Sequence, residues 1–370
     1  MNYVVVSFHY DMNLVMFVMS IICKDAKNYP KSLTFAQILC HCNMKRAHVC
    51  IITAILCLVS CRNDQQYIAM TGFAQGGTWT VKCKVPQHVS SSYSRSWGDD
   101  TRRGIDSILV CIDNAVSGYN KASLLSRQNA GEEILPDGSP EYGILDALTR
   151  YCDSLYIATG GVVDTRAATL YDVWGFGFKS GEMPTEAQVA EAAADRSRMN
   201  FNAVAQGYSA DLVGSYLKGL GVTDMLVDVG GEIYCCGLNP AGKGWSIGID
   251  APVDGNMNPG EKLQGIFSIE PGRSCGVVTS GNYRKFYIRD GVKYSHTVDP
   301  RKAAPVKHNL LSATILAPTS ALADALATYC MVVGLEEASE FICSRSDLEG
   351  CLISADSLWT SPGFVLAPAK

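Results

Sequence analysis

No Cys-x-x-Cys pair occurs in this chain, although it carries 15 cysteines. The usual frame of a structural zinc site is therefore missing, and the adjacent Cys235 and Cys236 cannot easily share one metal. No Gly-x-Gly-x-x-Gly follows a strand-like run, which disfavours a Rossmann dinucleotide fold. Positive charge is scarce too. The 31 Lys and Arg against 36 Asp and Glu leave a formal net charge of -5, and no basic stripe interleaves with aromatics, so nothing points to a nucleic-acid partner. Internal repeats are absent. What is present, 370 residues with 47% hydrophobic and 18% charged content, supplies core for one or two ordinary globular domains.

Apolar runs of membrane-spanning length are also missing. Met44-Lys45-Arg46 gives a short positive stretch, Val49 to Val59 an apolar run of signal-peptide length, and Leu58-Val59-Ser60 leads into Cys61. The pattern reads as a bacterial lipoprotein signal over 44–60, cleaved before Cys61, whose thiol is then acylated. An uncleaved anchor is the alternative, but the run falls short of the ~20 apolar residues a spanning helix needs. Residues 1–43 hold a second apolar run, Leu14 to Cys23, and do not fit an exported leader. The expectation is that Met44 initiates the natural protein and that 1–43 is an upstream over-extension; a genuine N-terminal helix is the other possibility. Cys61 and a linker to residue 74 then precede a domain over 75–370, lipid-anchored in the bacterial cell envelope and facing the periplasm.

Within that domain, alternation over Gln75–Val85 predicts a first strand, followed by a Ser-rich loop from Ser90 to Ser96. Thr101 to Ser117 has helical spacing, with Ile105, Ile108, Leu109, Ile112 and Val116 on one face. Helices are also predicted over Pro184–Arg198 and over Gly207–Leu220, the latter ended by Gly221. Strands are predicted at 225–229, 233–236, 245–249, 266–269, 274–279, 284–289 and 312–316. A last helix is predicted over Ser320–Val333 with Ser320 as N-cap. Helices concentrated in the first half and strands in the second predict an α+β fold, with 62–370 as one compact unit.

The last helix holds a candidate pair of ligating residues. Asp324 and Thr328 stand four residues apart, so both oxygens lie on one face of a segment apolar enough to be buried. A buried carboxylate needs a partner, and a hard cation such as Mg²⁺ is a natural one. A solvated Asp with a Thr bonded back to its own helix is the plainer reading. Four other islands interrupt the apolar sequence. Gly118-Tyr119-Asn120 opens a polar turn after a helix. Gly160-Gly161-Val162-Val163-Asp164-Thr165, with Trp174 and Phe176 beyond it, suits close backbone approach to a planar ligand or simple core packing. Asn200 to Asp211 leads into a helix N-terminus that could receive a phosphate. Thr279-Ser280-Gly281-Asn282-Tyr283 and His296-Thr297-Val298-Asp299-Pro300 form the fourth island, where a histidine beside a metal site could move a proton near neutral pH.

These islands, in this order, resemble the ApbE family of FAD:protein FMN transferases. The resemblance runs from about Gln75 to Gly334 and is carried by five segments. They are Asn202-Ala203-Val204-Ala205-Gln206-Gly207-Tyr208-Ser209-Ala210-Asp211, Leu226 to Ile233 with Asp228 and Gly230-Gly231, Thr279 to Tyr283, His296 to Pro300, and Ala323 to Thr328. It implies a single compact, T-fold-like α+β domain. It also implies transfer of the FMN half of FAD to a Thr or Ser hydroxyl through a phosphoester bond, with AMP released. The acceptor it implies is a flavin-carrying subunit of an electron-transport complex. By resemblance, Asp324, Thr328 and the main-chain oxygen of Ala203 are Mg²⁺ ligands. Gln75, Tyr119, Val163, Asp164, Thr165, Asn200, Gln206 and Thr297 correspond to positions around FAD, and His296 to the histidine needed for transfer. Gln206 stands where many members have lysine, and Gln75-Gly76-Gly77-Thr78 where a Met-Gly-Thr opening is usual. A hydrolase splitting FAD into FMN and AMP and a non-catalytic flavin-binding lipoprotein are the competing readings.

Overall fold

The computed structural model describes residues 66–90, 92–175, 183–253, 256, 260–282, 286–289, 292–295 and 297–369. The expected over-extension 1–43, the signal segment 44–60, Cys61, Phe176, Tyr283 and His296 lie outside the described residues.

Period-two alternation opens the folded part. In β2 (Gly77–Lys84) Trp79, Val81 and Cys83 are buried while the residues between them are more exposed. Its partner β1 (Tyr67–Ala74), unforeseen in the sequence, pairs antiparallel, and Gly72 lies opposite Trp79. A Cβ on Gly72 would come within 2.4 Å of the indole nitrogen, so glycine there makes room for the ring. The strands are joined by Gln75 and Gly76 at φ 52° and 77°, a two-residue turn with both residues in the left-handed region. Gln75 is thus a turn residue and not the start of a strand.

Helix α1 (Ser94–Val116) starts before the expected Thr101, taking in the end of the Ser-rich stretch, and buries Ile105, Leu109, Ile112 and Val116 as its spacing predicts. Helix α2 (Leu124–Asn129) is capped by Ser123. Helix α3 (Pro140–Ala158), passed over in the sequence reading, carries a standard start signal: Ser139 caps it and Pro140 opens it. Short α4 (Ala168–Val173) and α5 (Glu186–Ala194) follow, the latter with a Thr185/Gln188 capping box. Helix α6 (Ala205–Gly219) ends at Gly221, whose φ of 85° matches the expected C-terminal stop.

Strands then accumulate: β3 (Met225–Val229), β4 (Glu232–Cys236), β5 (Ser246–Asp250), β6 (Leu263–Ser268), β7 (Cys275–Gly281), β8 (Phe286–Arg289), β9 (Val292–Ser295), β10 (Val298–Asp299), β11 (Ala304–Pro305) and β12 (Leu310–Ala317). Helix α7 (Ser320–Val333) keeps its expected bounds, but its N-cap is Thr319, whose hydroxyl accepts from the Leu322 N–H at 3.2 Å. Helix α8 (Leu335–Cys343), β13 (Glu349–Ser354), β14 (Leu358–Thr360) and β15 (Leu366–Ala367) complete the chain.

Among the described residues the main sheet has eight antiparallel strands in the order β1-β2-β3-β4-β7-β12-β13-β14. A second sheet, β15-β6-β5, has three. Val278, Ala313 and Ile315 point into a core shared with α1, α3, α6 and α7, while Cys275, Val277 and Leu316 point into a core shared with the three-stranded sheet. The adjacent cysteines obey the same alternation, Cys235 facing the three-stranded sheet and Cys236 the helices. The architecture is α+β, as expected. Among the described residues no helix is long and apolar enough to cross a membrane.

Candidate active site

Two helix N-termini meet on the helical side of the sheet. The Gly207 N–H, which the α-helical pattern would send four residues back to the Ala203 carbonyl, goes instead to Asp324 Oδ2 at 3.1 Å. That carbonyl is left without a partner among the described residues. In the other direction, Asp211 of α6 accepts from the Ser320 and Ala321 N–H groups at the start of α7, at 2.8 and 2.9 Å. Each helix therefore caps the other, compensating N-terminal donors that would otherwise be orphaned. Close packing supports the crossing: a Cβ on Gly207 would lie 2.4 Å from the Ser320 oxygen, and one on Gly276 of β7 would lie 2.3 Å from the Ser320 Cα.

Asp324 is buried, with 5% of its surface exposed, and no cationic side chain pairs with it among the described residues. Burial pushes its carboxyl well above the usual carboxylate range; the Gly207 N–H opposes that rise and the Asp211 charge adds to it. Asp211 is pushed up to about 6 by burial, against the pull of the two α7 N–H groups. Thr328 is half-buried one turn beyond Asp324. Thr149, Thr159 and Ser209 turn their hydroxyls back onto carbonyls four residues earlier, each at 2.7 Å, whereas Thr328 does not. The plainer reading of the Asp324/Thr328 pair thus fails on both residues. One buried carboxylate, one uncommitted hydroxyl a turn further along the same helix and one uncommitted carbonyl at the facing helix end are oxygen donors of the kind Mg²⁺ takes. The set holds a single acidic side chain, and among the described residues no group of three or more His, Cys, Asp or Glu is arranged to hold a metal.

The turns at one end of the sheet close on the same helix terminus. Gln75 Nε2 donates to Ser209 Oγ at 2.7 Å, and Gln75 Oε1 is buried with no partner among the described residues. The Gln206 amide lies against Gly230, where a Cβ would come within 2.1 Å of its nitrogen; glycine at φ 74° in the β3–β4 turn permits the approach. A second group forms beside it. The Asn200 N–H donates to the Thr165 carbonyl at 2.8 Å, joining Asn200 to the buried Val163-Asp164-Thr165 turn. The Asp164 carboxylate is engaged by Arg196, at 2.8 Å through Nη2 and also through Nη1, and by the Arg166 N–H at 2.9 Å. Its geometry holds the turn in shape. Asn129 binds both the N–H and the carbonyl of Met199 at 2.8 Å, and a cleft lined by Gly118, Leu125, Ala168, Asp172 and Asn200 opens there. Tyr119 follows Gly118 and is 72% exposed. Thr297 is buried and donates to Asn282 Oδ1 at 2.7 Å. Trp174, read as ligand platform or core, packs half-buried with its Nε1 on the Ala303 carbonyl at 3.0 Å.

Ala203, Gln206 and Asp324 are brought together at the α6 terminus with Gln75, and Val163, Asp164, Thr165 and Asn200 beside them. Asp211, Ser209 and Arg196 were not foreseen. For Asp211 a signal existed, since it stands one helical turn after Gly207 and so shares its face.

The fold and site are those of one α+β domain in which the N-termini of α6 and α7 meet, each bonded to a carboxylate of the other helix. The ApbE family model matches residues 75–352, and the chain belongs to that family. The FAD:protein FMN transferase of Haemophilus influenzae is 27% identical over 340 residues, which cover 85% of this chain and 93% of that protein. That of Escherichia coli K12 is 30% identical over 295 residues, covering 72% and 81%. Among solved structures, the flavin transferase ApbE from Vibrio cholerae matches with a TM-score of 0.66 at 25% identity over 80% of this chain and 98% of that one. The apo flavinyl transferase ApbE of Pseudomonas stutzeri matches with a TM-score of 0.68 at 27% identity over 80% and 95%.

Proposed function

We propose that this protein transfers FMN from FAD to a Thr or Ser hydroxyl of an acceptor flavoprotein, a subunit of an electron-transport complex. The acceptor oxygen attacks the FMN phosphorus, the bond from that phosphorus to the bridging oxygen breaks, and AMP leaves with the bridging oxygen. The observation that carries this reading is the oxygen set around Asp324, built on motifs shared with a family whose relatives bear the name FAD:protein FMN transferase. Ala203, Asp324 and Thr328 would hold Mg²⁺, which when bound supplies charge neutralisation at the pyrophosphate. Gln75, Tyr119, Val163, Asp164, Thr165, Asn200, Gln206 and Thr297 are the residues assigned to FAD. The partnerless Oε1 of Gln75 supports a polar ligand there. His296, preceding Thr297, is assigned as the base that takes the proton from the acceptor hydroxyl. A lipid on Cys61 tethers the domain in the envelope on the periplasmic side, a reading supported by the 44–61 pattern.

Incubation with FAD, Mg²⁺ and a flavoprotein acceptor tests the reaction. Flavin fluorescence that stays on the acceptor through denaturing electrophoresis is expected, with equimolar AMP. Asp324→Ala should lower the rate by at least about 100-fold, the scale of losing a charge-stabilising group from a reacting centre. His296→Ala should abolish transfer while FAD still binds. Free FMN with an unlabelled acceptor would replace transfer by hydrolysis, and unchanged FAD would leave only binding. Labelled palmitate entering the wild type but not Cys61→Ser checks the anchor.

A further inference from the structure

The α6–α7 crossing has a near-symmetric logic. Gly207 and Asp211 are one turn apart on α6, and Ser320 and Asp324 are one turn apart on α7. Each helix offers an N–H from its first turn and a carboxylate one turn later to the same face of the other. The result is a closed ring of hydrogen bonds, with Gly207 donating to Asp324 and Ser320 and Ala321 donating to Asp211. The remaining first-turn donors of α7 are claimed locally, Leu322 by the Thr319 hydroxyl at 3.2 Å and Ala323 by the Thr319 carbonyl at 3.1 Å. Thr319 therefore closes the helix end on itself, whereas Asp211 fastens it to α6.

A carboxylate is a costly choice for that fastening. Asn, Ser or Thr caps a helix about as well without putting a desolvated charge near Asp324. What the carboxylate provides is two acceptor oxygens on one rigid fork, which take the Ser320 and Ala321 N–H groups together and fix both the depth and the rotation of α7. Rotation matters because Asp324 and Thr328 come from α7 while the Ala203 carbonyl comes from the approach to α6. Relative movement of the two helices would pull the donor set apart.

We propose that Asp211 is a positioning residue for the cation site: it locks α7 against α6 so that Asp324 and Thr328 stay in register with the Ala203 carbonyl. The inference rests on the cation site proposed above. It extends that site to a residue that touches neither cation nor substrate.

Mg²⁺ alone, titrated calorimetrically into the full exported protein, provides the test. Asp211→Ala should weaken Mg²⁺ binding at least tenfold in the folded protein, and excess Mg²⁺ should restore part of kcat. Asp211→Asn keeps one acceptor oxygen for the two N–H groups and should bind Mg²⁺ more weakly than the wild type but more tightly than Asp211→Ala. Thr319→Ala removes a cap from the same helix without touching α6, and should lower the melting temperature yet leave Mg²⁺ affinity unchanged. If Asp211→Ala melts earlier but binds Mg²⁺ as the wild type does, Asp211 is structural only and the proposal is overturned. If Asp211→Ala does not fold, the Asp211→Asn and Thr319→Ala pair decides: weaker Mg²⁺ binding in Asp211→Asn than in Thr319→Ala supports the lock, and equal affinity in the two overturns it. A wild type that binds no Mg²⁺, or an Asp324→Ala variant that binds it normally, would overturn the cation site itself, a result distinct from failure of the lock.

Discussion

At the scale of single residues the site depends on where side chains are absent as much as on where they reach. Gly207 lets α7 come close enough for its Ser320 oxygen to stand 2.4 Å from the place of a Cβ, and that approach brings Asp324 to the Gly207 N–H. Gly207→Ala is expected to cost about 1–3 kcal/mol, the usual penalty for forcing a methyl into a packed contact. It should weaken Mg²⁺ binding as well, because the helices must part; urea unfolding and calorimetry measure the two effects. Asp324→Ala should behave differently, losing activity with little or no loss of stability. The substitution removes a buried charge that has no cationic partner among the described residues. Residue identity made the Asp324/Thr328 pair legible in sequence, through its four-residue spacing. It could not disclose that Gly207 gives up the helical bond to Ala203, because that depends on which helix packs opposite.

At the scale of elements, most helices and strands follow from local pattern, and the misses have local causes. Helix α7 kept its bounds because it is rich in Ala and Leu, yet its cap is Thr319 and not Ser320, because Ser320 is already helical while Thr319 has extended backbone and its hydroxyl takes the Leu322 N–H. Thr319→Ala should cost about 1 kcal/mol in chemical denaturation. Strand β1 escaped notice because Gly72 and Ala69 dilute its alternation, and its pairing with β2 depends on Trp79 filling the space over Gly72. At the C-terminal end of α5, Asp195 accepts from the Ser197 hydroxyl and from that of Thr169 on α4, at 2.6 Å each. Those bonds, Ser197 foremost, hold its carboxyl down to about 2. A folded-state value below the unfolded one adds stability above the ordinary carboxylate range, which is lost as pH falls through that range toward 2. In urea titrations the advantage of wild type over Asp195→Asn should therefore be constant near neutrality and vanish by about pH 2.

At the scale of the whole molecule, the eight-stranded sheet separates two cores, and only the helical side carries the candidate site. A ligand that binds the folded site but not the unfolded chain stabilises the whole by mass action, about 2.7 kcal/mol at roughly a hundredfold excess over Kd. Mg²⁺ should accordingly raise the melting temperature of the wild type, EDTA should reverse the rise, and Asp324→Ala should show neither; scanning calorimetry checks all three. By itself the sequence determined the α+β class, the bounds of α7, several strands of the main sheet and the set of motifs that places the chain in its family. Periodicity, capping residues and motif spacing act over a few neighbouring positions and leave marks that can be read in order. Only the tertiary structure decided that Asp211 and Asp324 cap one another's helices, that Arg196 holds Asp164, and that Gln75 sits in a turn against Ser209. These contacts join residues far apart in the chain, through donors and acceptors nearly every residue carries, so packing alone selects the partners.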